Sequence, residues 1–256
     1  MDHDLILYPF NAPFFILSAI PALVYVLLHL IARKRPKKQR AALLSAVMLL
    51  TVAGFAVYKL LLSRDASYSA VLLEAGLLPF NWWNELPLQL CNINMLMIPI
   101  SLAADRRSLY GFCFFSGTLG ALTALVMPST GFSGCSILLP RMIGYFLTHW
   151  MVFFGALSLL TLGIYQPKYR DIPKLLTTFA VICTAIFGIN LLLRCTGLSP
   201  TANYWFNVAT EGNPLLEIFY SWIPIPLLYI APAFLIMALY MLVVISVFNM
   251  VSRAKG

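Results

Sequence analysis

Charged side chains are scarce in this chain, and their scarcity excludes most soluble folds. Aspartate, glutamate, lysine and arginine make up 10% of the 256 residues, whereas they account for about 25% of a typical soluble domain. Hydrophobic residues make up 61% and are gathered into runs long enough to cross a bilayer as helices of about 20 residues. These runs use up the length of the chain, so no sizeable soluble domain fits. The composition therefore predicts an all-α, polytopic membrane protein.

Acidic residues are rarer than basic ones, which gives the chain a formal net charge of +8. A basic chain is a candidate for nucleic-acid binding, but here the lysines and arginines lie in short loops between apolar runs. That placement is typical of membrane topology. We therefore predict membrane phospholipids as partners, with no nucleic acid and no soluble protein partner. The pattern gives no prediction of the oligomeric state.

The five cysteines are dispersed and form no CxxC pair, which argues against a metal cluster. The sequence also lacks internal repeats and low-complexity tracts. We therefore predict no metal and no cofactor. Cys135 and Cys195 both fall on the predicted outer side, where a disulfide between them remains open.

Seven apolar runs predict a single domain, residues 1–256, made of seven transmembrane helices. The predicted spans are residues 13–32, 41–62, 85–104, 109–127, 141–164, 175–193 and 227–251. On this topology 13 lysines and arginines lie on the inner side and four on the outer side. Because basic residues concentrate in cytoplasmic loops, we expect an outer N-terminus and a cytoplasmic C-terminus in the cytoplasmic membrane.

The third predicted span carries four polar residues within six positions: Gln89, Cys91, Asn92 and Asn94. Polar groups in hydrocarbon are costly and usually face a bundle interior or a cavity. One interpretation is a buried cysteine that packs like a small hydrophobe beside amides that bond neighbouring helices. The other is a reactive thiol beside an amide that donates to an oxyanion.

His149 is the histidine that lies well inside a predicted span, and it suits the second interpretation. It lies about 12 Å below the outer end of its span, and Cys91 lies about 9 Å below the outer end of its own. The two residues are therefore expected at similar depth. Arg141 and Tyr145 share the face of His149 at a spacing of four residues. His149 either bonds within the bundle or acts as the general base for Cys91.

Besides the amides Gln89, Asn92 and Asn94, four further residues are candidates for contact with a substrate, and Tyr145, beside His149, is one of them. Arg141, at the outer interface, either anchors its helix or holds a lipid phosphate. Asn203 and Tyr204 belong to a long outer loop, residues 194–226, that either caps the bundle or closes over a substrate.

The stretch LPLQLCNI at residues 86–93 resembles the LPLHLC-type motif of the YwaF-like family of bacterial integral membrane proteins. The family also has a histidine two spans later, an Asn-Tyr pair before the last span and a Trp-x-Pro-like segment. Their counterparts here are His149, Asn203, Tyr204 and Trp222. The resemblance covers residues 63–240. Two positions depart from the family pattern. The family has a histidine before Leu-Cys where this chain has Gln89, and it often has a glycine after the helix histidine where this chain has Trp150.

The YwaF-like family is similar to animal multispan acyltransferases that remodel ether phospholipids through a cysteine and a histidine. The resemblance implies that Cys91 is a nucleophile and His149 its base. The expected function is a membrane-embedded acyltransferase that remodels phospholipid acyl chains through a Cys thioester, with a lipid acyl hydrolase as a close variant. The alternative is a transporter or binding protein for lipids or small molecules, because intramembrane polar residues also mark ligand paths.

Overall fold

The computed structural model describes residues 5–74, 79–128 and 131–254. These residues contain nine α-helices and two two-residue strands, β1 and β2, which pair antiparallel. The elements are β1 (Ile6–Leu7), α1 (Ala12–Ala32), α2 (Lys37–Leu62), α3 (Ala66–Glu74), α4 (Leu90–Ala104), α5 (Arg107–Val126), β2 (Cys135–Ser136), α6 (Pro140–Thr161), α7 (Ile172–Cys195), α8 (Pro214–Trp222) and α9 (Ala231–Arg253). The all-α class is confirmed.

Six helical stretches in the described part of the chain are long and apolar enough to cross a membrane. They are α1, α2, α5, α6, α7 with the turn before it, and α9 with the turn before it. Helix α4 is apolar but has only 15 residues. The protein is therefore a multi-pass membrane protein, whereas seven spans and the orientation of the termini stay predictions. The described residues divide into two compact units after Tyr165.

The third predicted span begins later than expected, which corrects the prediction of a helix over residues 85–104. Helix α4 begins at Leu90, and Gln89 before it is extended, with φ −65° and ψ 151°. Pro87 explains the delay, because proline lacks an N–H and disfavours helical backbone at the residue before it. Gln89 thus precedes the helix, and Cys91 is the second residue of it.

Two predicted outer loops also contain helices. Helix α3 lies within residues 63–84, and α8 lies within residues 194–226. Both are nine residues long, too short to register as apolar runs of membrane length. In the second unit, α7 packs against α9, and the Tyr169 hydroxyl lies 2.8 Å from the Ser246 hydroxyl.

Glycines bring α6 close to its neighbours in the first unit. A Cβ added to Gly117 on α5 would lie 2.7 Å from the Cβ of Ala156 on α6. A Cβ added to Gly144 on α6 would lie 2.8 Å from the Cβ of Tyr58 on α2 and would overlap its ring. Small residues at such crossings let helix backbones approach closely in a membrane. Helix α6, which carries His149, is thereby fixed against α2 and α5.

Gly144→Ala should therefore lower the free energy of unfolding by about 1–3 kcal/mol, because the added methyl group displaces a buried ring. The midpoint of unfolding in detergent micelles measures the loss. Gly54→Ala is the matched control on α2, since a Cβ there meets no atom within 4 Å and alanine favours the helix. Equal midpoints for the two variants would contradict the close approach of Tyr58 to Gly144.

Candidate active site

Cys91 lies in the first turn of α4, where the backbone is electrostatically positive. The first bond of the helical ladder runs from the Ile93 N–H to the Gln89 carbonyl, at 2.8 Å. The N–H groups of Leu90, Cys91 and Asn92 therefore lie outside that ladder, and the positive end of the helix dipole favours negative charge beside them. Cys91 is half-buried, and residues 84–90 before it are all partly exposed. Cys91 thus lies in a partly exposed part of the first unit.

The His149 ring contacts the Cys91 thiol. Its Nε2 lies 3.1 Å from the Cys91 Sγ, and its Nδ1 lies 2.7 Å from the Tyr145 carbonyl oxygen. A carbonyl only accepts, so this contact assigns the proton of a neutral ring to Nδ1. Nε2 then presents a lone pair to the S–H of Cys91, which is the arrangement that a general base requires.

Tyr145 holds the histidine in this position. The two rings lie 4.2 Å apart at a tilt of 39°, and the Tyr145 hydroxyl donates to the Ala124 carbonyl of α5 at 3.0 Å. On its other side Tyr145 stacks on Phe132 at 4.4 Å. These contacts orient His149, and contact of Tyr145 with a substrate stays a prediction.

The two asparagines of α4 have different neighbours. The Asn94 side chain donates to the Leu90 carbonyl at 2.7 Å and accepts from the Ser116 hydroxyl of α5 at 2.9 Å. It therefore ties α4 to α5. Asn92 is buried, and its Oδ1 lies 3.9 Å from the Cys91 Sγ. Asn92 is thus the amide that the structure places beside the thiol.

A buried ion pair, not expected from the sequence, joins α2 to the segment that leads into α4. The Lys59 ammonium of α2 contacts the Glu85 carboxylate, and the two side chains are 11% and 17% exposed. Glu85 also accepts from the Tyr68 hydroxyl at 3.4 Å. One signal was available, since Lys59 is an ionisable residue inside a predicted span.

Arg141 makes its described contacts with protein groups. It is 3% exposed, and its Nη1 donates to the Asp65 carboxylate at 3.0 Å and to the Ser67 hydroxyl at 2.6 Å. Its Nη2 donates to the Cys135 Sγ at 3.4 Å. These contacts fasten α6 to the start of α3. Binding of a lipid phosphate by Arg141 stays a prediction.

In the second unit, Asn203 and Tyr204 organise the loop that follows α7. The Asn203 Oδ1 accepts from the N–H groups of Val208 and Ala209, at 3.0 and 3.1 Å. The Tyr204 backbone exchanges two hydrogen bonds with the Asn190 side chain, both at 2.9 Å. These bonds fix the path of the loop, and a role in substrate binding stays a prediction.

The cysteines of this protein are all within the described residues, and each carries a free thiol. The disulfide that the sequence left open between Cys135 and Cys195 is therefore not formed. Among the described residues, no group of three or more histidine, cysteine, aspartate and glutamate side chains is arranged to hold a metal ion.

Fold and site together define a multi-pass membrane protein in which a cysteine at the start of a short helix, α4, contacts a histidine of α6. The chain belongs to the TMEM164 family, whose family model matches residues 7–248. No curated protein and no solved structure matches the chain. The likeness to the YwaF-like family and to the animal acyltransferases stays a prediction.

Proposed function

We propose that the protein is a membrane-embedded acyltransferase that exchanges acyl chains on phospholipids through a thioester on Cys91. The observation that carries this proposal is the contact of the Cys91 thiol with His149 Nε2, at 3.1 Å, on a ring whose Nδ1 is held by the Tyr145 carbonyl. A buried histidine with a purely structural role does not require a thiol beside Nε2, its second ring nitrogen. A nucleophilic cysteine does need a base within hydrogen-bond reach.

The first half-reaction transfers an acyl chain from a phospholipid to the enzyme. The Cys91 sulfur attacks the ester carbonyl as His149 Nε2 takes the thiol proton. The tetrahedral intermediate then collapses, the C–O bond to glycerol breaks, and the leaving alkoxide takes the proton from His149. The products are a thioester on Cys91 and a lysophospholipid.

The second half-reaction is the reverse with a different alcohol. The hydroxyl of a second lysophospholipid gives its proton to His149 and attacks the thioester carbonyl. The C–S bond breaks, and the thiolate recovers the proton from His149. Water in place of the lipid hydroxyl would give hydrolysis, and a site at the edge of the bilayer limits that side reaction by limiting water.

The oxyanion of each intermediate would form beside the first turn of α4. The N–H groups of Leu90, Cys91 and Asn92 lie there, and backbone donors at a helix N-terminus are preorganised for negative charge. The side chains of Asn92 and Gln89 are further candidates for this contact. Backbone donors of this kind have no signature in the sequence, because any residue supplies them.

The position of the site suits a phospholipid ester. Trp82 and Trp83 are 50% and 42% exposed and precede Cys91 by nine and eight residues. Exposed tryptophans favour the membrane–water interface, where the ring sits at the level of the head groups. Acyl esters lie just below that level, so a lipid that approaches this part of the protein can bring its carbonyl to Cys91, a residue that is only half-buried.

The proposal predicts a covalent acyl-enzyme. After incubation with a defined phosphatidylcholine, the intact mass of the protein should increase by one acyl group, and hydroxylamine should remove it. Peptide mapping should place the adduct on Cys91. His149→Ala should accumulate it about 10²-fold or more slowly, because the thiol then lacks its base.

Cys91→Ala is the control, and it should carry no adduct. An adduct on another cysteine, or one that survives hydroxylamine, would overturn the thioester. Unchanged mass in every form together with unchanged lipid composition would favour the binding or transport alternative.

A further inference from the structure

We propose that the first unit binds one anionic phospholipid at a site away from the Cys–His contact. One acyl chain of this lipid lies in a groove between α1, α2 and α6, and its phosphate lies at the basic segment, residues 33–40. The lipid is bound there and not chemically changed. The proposal does not rest on the proposed acyltransferase activity and is tested separately from it.

The groove has mainly apolar walls. They come from three helices that are each long and apolar enough to cross a membrane. The lining includes Val24 and Leu28 of α1, Leu44 and Val47 of α2, and Gly155 and Ser158 of α6. The groove is open on one side and has a volume of about 220 Å³, and the Ser158 hydroxyl donates to the Phe154 carbonyl at 2.7 Å. Such walls suit a hydrocarbon chain, because a polar ligand would lose its hydrogen bonds to water there.

Polar groups follow the apolar lining toward the end of α6. The Tyr25 hydroxyl donates to the Thr161 hydroxyl oxygen at 3.2 Å, and His29 Nε2 lies 2.7 Å from the same oxygen. The next residue along α6, Leu162, accepts a hydrogen bond at its carbonyl from Arg40 Nη1. Along α6 the groove is therefore followed first by hydroxyl and imidazole groups and then by an anchored arginine. A phospholipid has the same order of groups, from acyl chain through ester and glycerol to phosphate.

The basic segment supplies the charge that an anionic head group requires. Its eight residues include no acid and six basic side chains: Arg33, Lys34, Arg35, Lys37, Lys38 and Arg40. The first five of these are exposed. Within the described part of the chain, Lys37 is the member with an ion-pair partner, Asp105 at 3.7 Å. Basic clusters beside membrane helices attract anionic lipids by about 1 kcal/mol per lysine or arginine.

The groove and the basic segment are separated by the depth of one leaflet. At 1.5 Å per residue, Val24 lies about 13 Å along α1 from Arg33, and Val47 lies about 10 Å along α2 from Arg40. Half of the hydrocarbon core is about 15 Å thick. A lipid with its phosphate at the basic segment therefore has its acyl chain at the depth of the groove. A signal for membrane orientation needs the charges alone, whereas a lipid site also needs this groove beneath them.

The test is native mass spectrometry of the purified protein in detergent with equal amounts of phosphatidylglycerol and phosphatidylcholine that carry the same acyl chains. The wild type should retain one phosphatidylglycerol, with a preference of about tenfold over phosphatidylcholine. The double variant K34Q/K38Q should lower this retention about tenfold. K168Q/K174Q is the matched control, since it removes two exposed lysines from the second unit, and it should leave the retention unchanged.

A second pair of variants tests the groove. Val47→Phe fills the groove from α2 and should lower retention of phosphatidylglycerol by about tenfold. Val57→Phe is its control on the same helix, because that side chain is 58% exposed, and it should bind like the wild type. If Val47→Phe fails to fold, Val24→Phe fills the groove from α1, with Val26→Phe, at a position 49% exposed, as its control.

Two results would overturn the proposal. Equal retention of the two lipids by the wild type, or equal losses for the two double variants, would reduce the binding to general attraction between charges. Wild-type retention by the folded groove variants would show that no acyl chain occupies the groove. Loss of phosphatidylglycerol in both K34Q/K38Q and the groove variant, with both controls unchanged, would establish the site, whether or not Cys91 forms an acyl adduct.

Discussion

Replacement of Cys91 by serine should lower the rate of acyl transfer by about 10³-fold or more. Serine preserves the size of the side chain and a hydrogen bond to His149 Nε2, so the fold should be kept. Its hydroxyl ionises far less readily than a thiol, and the neutral imidazole would have to activate a much weaker acid. The measurement is transfer of a labelled acyl chain from phosphatidylcholine to a lysophospholipid in proteoliposomes, with the products resolved by mass spectrometry.

The other cysteines supply the controls. Cys113 is fully buried in α5 and Cys195 is exposed at the end of α7, so Cys113→Ala and Cys195→Ser sample both environments. Both variants should retain transfer. If the protein instead binds or transports a ligand without catalysis, Cys91→Ser should behave like the wild type. Full activity in that variant would remove Cys91 from the chemistry.

Arg141→Met should lower the free energy of unfolding by about 3 kcal/mol, because it leaves the Asp65 carboxylate without its counter-ion in a mostly buried position. Asp65 is 18% exposed, and Arg141 is its ion-pair partner. The midpoint of unfolding in mixed micelles measures the loss. Lys37→Met breaks an exposed pair and should change that midpoint little.

The same variant separates two roles of Arg141. A stabilising role predicts that the folded fraction keeps its apparent KM for lipids of different head group. A phosphate-binding role predicts a raised KM with unchanged stability. The second pattern would contradict the contacts with Asp65 and Ser67.

The ion pair should also make stability depend on pH. Burial raises the pKa of Asp65, but hydrogen bonds from Ser67, the Tyr68 N–H and Arg141 outweigh it, so this pKa lies below its ordinary value. Such a carboxyl stabilises the fold above its unfolded pKa of about 4, and the stabilisation is lost as the pH falls through the lower folded value. The wild type should therefore lose stability below about pH 4, and Arg141→Met should lose less over the same range.

Much of the fold and the centre of the site followed from the sequence. The hydrophobic runs of the sequence predicted the positions of the six helical stretches that are long enough to cross a membrane, because nearly every residue of such a span is apolar. Cys91 and His149 were predicted to lie at similar depth, although the depth of Cys91 was counted from a helix start at Glu85 and α4 begins at Leu90. The structure places them in contact.

The remaining features depend on contacts that no pattern encodes. Arg141 and Asp65 are 76 residues apart, and nothing local pairs them. The late start of α4 had a local cause in Pro87, but the apolar run around it masked the break. Lys59 was counted among the four basic residues of the outer side, although its position inside a predicted span marked it as a residue that needs a buried partner.

Helix α4 is also short for a bilayer. Its 15 residues extend about 22 Å, whereas the hydrocarbon core is about 30 Å thick. Residues 86–89 before it are not helical, and on the predicted seven-span topology protein or water must satisfy their backbone groups, because hydrocarbon cannot. Head groups of neighbouring lipids can then descend locally into the thinned membrane. Under the proposed function, the bilayer itself would in that way bring the ester carbonyl down to the thiol, and no lipid would have to leave its leaflet.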